Sequence, residues 1–389
     1  MRIQYLDGLR GVAILLVVLF HAYSRWPAMV PYGNAYATFP LFYFGWLGVQ
    51  LFFLISGFVI LMTLEKTPNF FTFIYKRWLR LFPAMCLVSF IIYFSSHFFS
   101  ERPAGLPSLI SLLPGLTFVE LEWWEFLLRV PIIPLEGSFW SLYVEFKFYV
   151  VAAFVYYVFG SRYLVPVLVF LFLFSIFVHI IHVNFDNTII EFVKNICNQL
   201  SFRHFGWFSS GALFYLYYKE NNNFYFYLAI ILSLISSVVI RNKIDFNITL
   251  VAFFVSLIFA LSFKFRRFQS FLENKFLLLF GFVSYPLYLI HENLIISMIV
   301  KMSKHFPLII TFFYPIMSIF ILLNITYFIS YYLEPRFRNI INKLIYDPIM
   351  SLISNVTHEV GPILLVQDSV EIESNSKDLA EVRKLKAGR

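Results

Sequence analysis

A chain of 389 residues with 60% hydrophobic and only 13% charged side chains, and a mean hydropathy of +0.77, lacks the charge that a soluble domain of this size needs on its surface. Its 51 Phe and 24 Tyr suit lipid contact and interfacial belts. The net charge of +8 lies in short loops between apolar runs, where it sets topology rather than marking a nucleic-acid binder, and two cysteines (Cys86 and Cys197) argue against a disulfide scaffold or a zinc cluster.

Apolar runs of about twenty residues fall at 9–26, 39–63, 79–99, 138–159, 162–183, 202–218, 224–240, 246–263, 277–300 and 307–332. The fold class expected is therefore an all-α polytopic membrane protein of about ten transmembrane helices. The first run follows Arg2 as in a signal peptide, but Arg10 and His21 interrupt it and no convincing small-residue cleavage site follows, so it reads as a retained helix. Pro107 and Pro114 break the apolar stretch 105–119, which reads as a re-entrant or interfacial piece of the long 100–137 loop. With the N-terminus cytoplasmic, the inner segments carry fifteen cations (Arg2, Arg10, Lys66, Lys76, Arg77, Arg80, Arg162, Lys219, Lys264, Arg266, Arg267, Lys275, Arg336, Arg338, Lys343). The outer segments carry nine (Arg25, Arg102, Arg129, Lys194, Arg203, Arg241, Lys243, Lys301, Lys304). That bias puts both termini in the cytoplasm. The domain division expected is a membrane domain over 1–346 and a cytoplasmic tail over 347–389. After Pro335 an amphipathic interfacial helix sets Phe337, Ile340, Ile341 and Leu344 against Arg336, Arg338 and Lys343. From about Val366 the tail turns polar and charge-mixed, and is expected to be disordered and dispensable. No internal repeat is visible.

In the first helix, Arg10 and His21 are eleven residues apart. At about 100° per residue that is roughly 20° past three turns, so the two side chains share a face about 16 Å apart along the axis. Asp7 falls about 40° off the same line. A histidine in hydrocarbon above a cation and a carboxylate is costly and points to function; a polar helix contact or a snorkelling arginine is the plainer alternative. In the second helix, Gly48 and Gly57 let a neighbouring helix or a ligand come close. The third begins with Lys76, Arg77 and Arg80, a cationic cluster that serves either topology or phosphate binding. The loop that follows holds Glu101, Glu120, Glu122, Trp123, Trp124, Glu125 and Glu136, carboxylates and indole faces suited to sugar hydroxyls and rings, or to an interfacial belt. The fourth helix opens with Ser138, Trp140, Ser141 and Glu145; Ser141 and Glu145 are i, i+4, and Glu145 is placed at the depth of His21. There it would orient the imidazole, hold an acceptor hydroxyl, or form a salt bridge elsewhere. His179 and His182 lack a carboxylate at ligand spacing, so no metal site is read. Tyr288, His291 and Glu292 fall on one face of the ninth helix as a candidate polar network.

Taken together, Leu6-Asp7-Gly8-Leu9-Arg10-Gly11 with His21, the Gly48–Phe58 run, Arg77-Trp78-Leu79-Arg80, Ser138-Phe139-Trp140-Ser141-Leu142 with Glu145, and Ser284-Tyr285 with Tyr288-Leu289 and His291 resemble membrane acyltransferase family three, which includes O-antigen and nodulation-factor acetyltransferases. Five motifs stand in the family's order across about 290 residues; Gln50 replaces an Asp that the family often has. The resemblance implies ten helices in the membrane-only form, in a bacterial inner membrane. It also implies transfer of an acyl group, usually acetyl from acetyl-CoA, to a hydroxyl of a lipid-linked or surface glycan, with no tightly bound cofactor. On that reading Lys76, Arg77, Arg80 and Arg10 receive the coenzyme. His21 acts as general base or transient acyl acceptor, with Glu145 orienting it. Asp7, Trp140, Ser141, Tyr288 and His291, with Trp123 and Trp124 of the loop, are candidate acceptor-binding residues. The competing reading is a transporter that uses the intramembrane His, Glu and Arg for substrate or proton passage; against it stand the lack of a repeat and of paired broken helices.

Overall fold

The computed structural model describes residues 3–185, 187–240, 245–346 and 348. Arg2, Arg241 and Lys243 of the charge count, and the expected disorder and dispensability of the tail beyond 348, lie outside the described residues. Of the described residues, those through Pro335 form one compact unit and those from Arg336 a second. In the second, the expected amphipathic segment is helical through Ile341.

All ten expected runs are helices, and no strand occurs among the described residues. They are α1 (Gln4–Phe20), α2 (Gly48–Leu64), α3 (Phe70–Ser95), α4 (Trp140–Phe159), α5 (Ser161–Asn184), α6 (Phe205–Glu220), α7 (Asn223–Val238), α8 (Phe246–Lys264), α9 (Lys275–His305) and α10 (Phe313–Phe328). Among the described residues, eight helical stretches are long and apolar enough to cross a membrane; α6 and α7 are not among them, whereas α10, also 16 residues of α-helix, counts because helix continues beyond it to Ile345. α3 begins nine residues before the expected run because the Asn69 side chain accepts the Thr72 N–H (2.9 Å) and caps it, so Lys76, Arg77 and Arg80 stand on the helix itself. Short helices Leu112–Thr117 and Leu121–Leu128 occupy the expected re-entrant piece and the stretch after it. A further amphipathic helix, Thr188–Gln199, was not expected. Its signal was the Asn187 cap before Ile189, Phe192, Val193 and Ile196, in a run too short for a span.

Successive helices reverse direction. At the end where the chain starts, Glu65 meets Lys219, Arg77 meets Tyr149 and Tyr5 meets Phe263. At the opposite end, Tyr23 meets Phe312, Phe53 meets His204 and Ser138 meets Tyr288. α9 is the central column, with 83% of its apolar window buried, whereas the stretch from Phe313 shows most of its surface outward.

α1 and α9 run parallel with their backbones in contact. A Cβ on Gly11 would sit 2.1 Å from the Leu277 carbonyl oxygen, and one on Gly281 would sit 2.0 Å from that of Asp7. Backbone cannot swing aside as a side-chain tip can, so only glycine fits. Gly281→Val is expected to destabilise at or above the top of the ~1–3 kcal/mol range usual for overpacking. Thermal unfolding of the variant in detergent against wild type measures it; an unchanged midpoint would mean the two helices can part at no cost.

Candidate active site

α1 does not end as an α-helix. His21–Arg25 forms one turn of π-helix, a device common at functional sites because it re-aims side chains. The turn brings His21 against α9. His291, fully buried, places its Nδ1 2.8 Å from the Tyr288 carbonyl. A carbonyl only accepts, so that nitrogen carries the proton and His291 Nε2 is an acceptor. His291 Nε2 lies 3.1 Å from His21 Nδ1, which also lies 2.9 Å from the Val17 carbonyl. Both neighbours accept, so Nδ1 of His21 is the protonated nitrogen, assigned from its partners. Its Nε2 therefore presents a bare lone pair, with Glu292 Oε1 3.8 Å away. The other oxygen of Glu292 accepts the Ser138 backbone N–H (2.6 Å).

His21, Glu292, Ser138 and Tyr288 line a cavity of about 460 Å³. Its wall comprises Val17, Phe20, His21, Ser24 and Arg25 from α1 and its π turn, Tyr43, Trp46 and Val49 leading into α2, Gly137, Ser138 and Trp140 at the head of α4, and Tyr288 and Glu292 of α9. The chemistry this supports is proton abstraction from a hydroxyl at Nε2. The imidazolium that forms would face a carboxylate, with aromatic walls on which a sugar ring could stack.

Of the expected site residues, His21, Trp140 and Tyr288 line the cavity. Ser141 hydrogen-bonds the Tyr288 hydroxyl (2.7 Å), which donates to the Ser138 carbonyl (3.1 Å), and His291 backs His21. Glu145 is elsewhere. It accepts from Ser56 (2.7 Å) and from Tyr149, and the carboxylate beside His21 is Glu292. The expectation placed His21 two turns too deep. It stands level with Ser138, and the seven residues from there to Glu145 span about 10 Å. Glu145 lies instead within electrostatic reach of Arg10 and Arg77. Asp7 is not at the cavity either: it pairs with Arg10 at 2.8 Å near the start of the chain.

Arg10, Arg77 and Arg80 gather at that same end, with Arg80 in electrostatic reach of the other two. They differ in exposure. Arg77 is buried over the rings of Phe73 (5.5 Å) and Tyr149 (5.8 Å), whereas Lys76 and Arg80 are exposed.

Trp123 and Trp124 do not line the cavity; their indole N–H groups donate to Gln199 (2.8 Å) and Thr117 (3.0 Å). Most of the loop carboxylates read as sugar ligands are engaged within the protein. Glu101 meets Lys301 and Lys304, Glu120 meets Lys147 at 2.7 Å, Glu125 accepts the Ile132 N–H, and Glu136 accepts from Asn293. Sequence reasoning left out of the site Arg25, Trp46 and Ser138 of the wall and gave Glu292 no catalytic part, although Glu292 had been placed in the α9 network. Arg25 had been counted only as a topology charge. Among the described residues no cluster of three or more His, Cys, Asp or Glu could hold a metal ion.

A family model described as an acyltransferase domain matches residues 3–334. Among curated proteins, the peptidoglycan O-acetyltransferase OatA of Listeria monocytogenes is 27% identical over 158 residues, 38% of this chain and 23% of that protein. The chain thus spans less than a quarter of the length of that relative. No solved structure matches. A match over nearly the whole membrane unit, which includes every residue of the cavity and of the cationic cluster, means that the chain belongs to the acyltransferase domain family.

Proposed function

We propose that this protein is an integral membrane O-acyltransferase that moves an acyl group, by default acetyl from acetyl-CoA, to a hydroxyl of a glycan. The observation that carries the reading is the His21 tautomer, which aims a free Nε2 into a walled cavity beside Glu292. In the step proposed, the acceptor O–H gives its proton to Nε2 as its oxygen attacks the thioester carbonyl. The C–S bond breaks, the C–O bond forms, and the proton passes to the departing thiolate. Glu292 stabilises the imidazolium in between, as a carboxylate does beside a histidine base. Trp46, Trp140 and Tyr43 offer faces to a sugar ring, and the named substrate of the Listeria relative is also a glycan.

The donor is assigned to the opposite end. Coenzyme A is anionic, and the guanidinium of Arg80, exposed and within electrostatic reach of Arg10 and Arg77, offers its phosphates a fork. With that end cytoplasmic, as the positive-inside count has it, the pantetheine arm runs outward along α1 from Arg10 towards His21. The setting proposed is a bacterial inner membrane, with a lipid-linked or surface glycan on the far side.

His21→Ala is expected to lower acyl transfer by ~10²–10⁴ with insertion intact, measured as labelled acetate entering glycan in membranes. Near-normal labelling would remove His21 from the chemistry. Arg80→Ala is expected to raise the half-saturating acetyl-CoA concentration about tenfold or more, the cost of a lost hydrogen bond to a charged group, and to leave acceptor saturation alone. An unchanged value would reduce Arg80 to a topology charge. Arg77, being buried, is a poor probe of donor binding. Replacing Trp123 and Trp124 together by Ala is expected to lower thermal stability by about 1–3 kcal/mol, two side-chain hydrogen bonds, while the rate per folded molecule stays within about twofold. A lost rate in a stable variant would return the pair to the acceptor site.

A further inference from the structure

Glu292, whose carboxylate faces His21, belongs to a two-way latch between α9 and the segment entering α4. Glu292 takes the backbone N–H of Ser138 (2.6 Å). In return Glu136, on the loop side, takes both the backbone N–H (2.9 Å) and the side-chain amide (2.7 Å) of Asn293. Glu292 and Asn293 on α9 thus exchange carboxylate and N–H groups with Glu136 and Ser138 across one intervening residue, which fixes the two backbones in register. Asn293 also accepts the Ala104 N–H (2.9 Å), and Arg102 donates to the Leu135 carbonyl, so the start and the end of the 100–137 loop are tied to one helix position. Arg102, Glu136 and Asn293 are 5%, 2% and 3% exposed, and none of them lines the large cavity. They line instead a partly open space of about 10 Å³, room for about one water, with Glu136 Oε1 and Arg102 Nε buried without a protein partner. Burial and the nearby Glu292 push the Glu136 carboxyl well above the usual carboxylate range, while Arg102 and the Asn293 donors pull it back. Such a group is costly to bury, and a bland loop anchor would not need one.

We infer that Asn293, Glu136 and Arg102 are positioning residues: they hold the Gly137–Ser138 backbone and Glu292 in place at the cavity, and act on transfer without touching either substrate. The inference rests on the proposed acyl transfer. A shift of about 1 Å at Glu292 is enough to cost about a hundredfold in rate.

The test is Asn293→Ala in the full-length protein in detergent, with two readouts. The first is kcat and KM for acetyl-CoA in acyl transfer. The second is amide hydrogen exchange over 135–140. The expected result is a kcat lower by about tenfold or more, a KM within about twofold, and exchange over 135–140 faster by about tenfold with α1–α3 unchanged. Asn293→Ser, which keeps one donor, is read by the same two measurements if the alanine variant fails to accumulate. Normal kcat, or a kcat loss with unchanged exchange over 135–140, overturns the latch. A wild type that transfers no acyl group would refute the function proposed above, and exchange alone would then decide whether the latch holds this backbone.

Discussion

The cavity depends on one backbone contact. α1 and α9 touch through Gly11 and Gly281, with no side chain between them, and they run in the same direction. Two parallel helices in register keep equal depth along their length, so ten residues beyond each glycine His21 arrives opposite His291. Were α1 held off by a single methyl, the imidazoles could not meet at 3.1 Å, and His21 Nδ1 would keep only the Val17 carbonyl of its own helix as acceptor. A packing detail two to three turns away thus sets whether His21 meets His291.

The same scarcity of water explains the rest of the polar interior. In hydrocarbon every donor and acceptor must find a partner within the protein, and polar side chains here pair across helices and loops: Ser141 with Tyr288, Ser56 with Glu145, Ser210 with Ser233, Lys147 with Glu120. Residues that look like ligand contacts in a list of loop carboxylates are therefore mostly structural. Arg25 behaves differently. It stands on the π turn and lines the cavity, with its guanidinium over Trp26 (4.8 Å).

Helix content and order were legible because hydropathy is a property of single residues summed over a window, and ten such windows stand out. The expected alignment of Arg10 with His21 needed only the helical period. Depth was not. Placing Glu145 beside His21 assumed that the end of α1 and the head of α4 share one plane with each residue equally far inside it, whereas the head of α4 stands level with His21 itself and sets Ser138 there. No sequence period reports the offset between two helices; long-range packing alone fixes it. The π turn was hidden for a related reason, since one extra residue per turn leaves no mark on composition. Glu292 was visible as part of a network, but its opposition to Nε2 follows from the tautomer chain through Val17, His291 and Tyr288, which only coordinates reveal.

The brevity of α7 has an effect outside the protein. Sixteen helical residues reach about 24 Å, some 6 Å less than an average hydrocarbon core. Its outward face is apolar, with Phe224, Tyr227, Ile231 and Leu234 exposed, a surface that acyl chains would wet in a bilayer. Tilting would shorten its reach further, which leaves the leaflets to draw together there at a fraction of a kcal/mol per ångström. Where α7 crosses a bilayer, this flank would carry a collar of thinned membrane, a hydrophobic mismatch that would favour short or unsaturated lipids beside it over thick, ordered membrane.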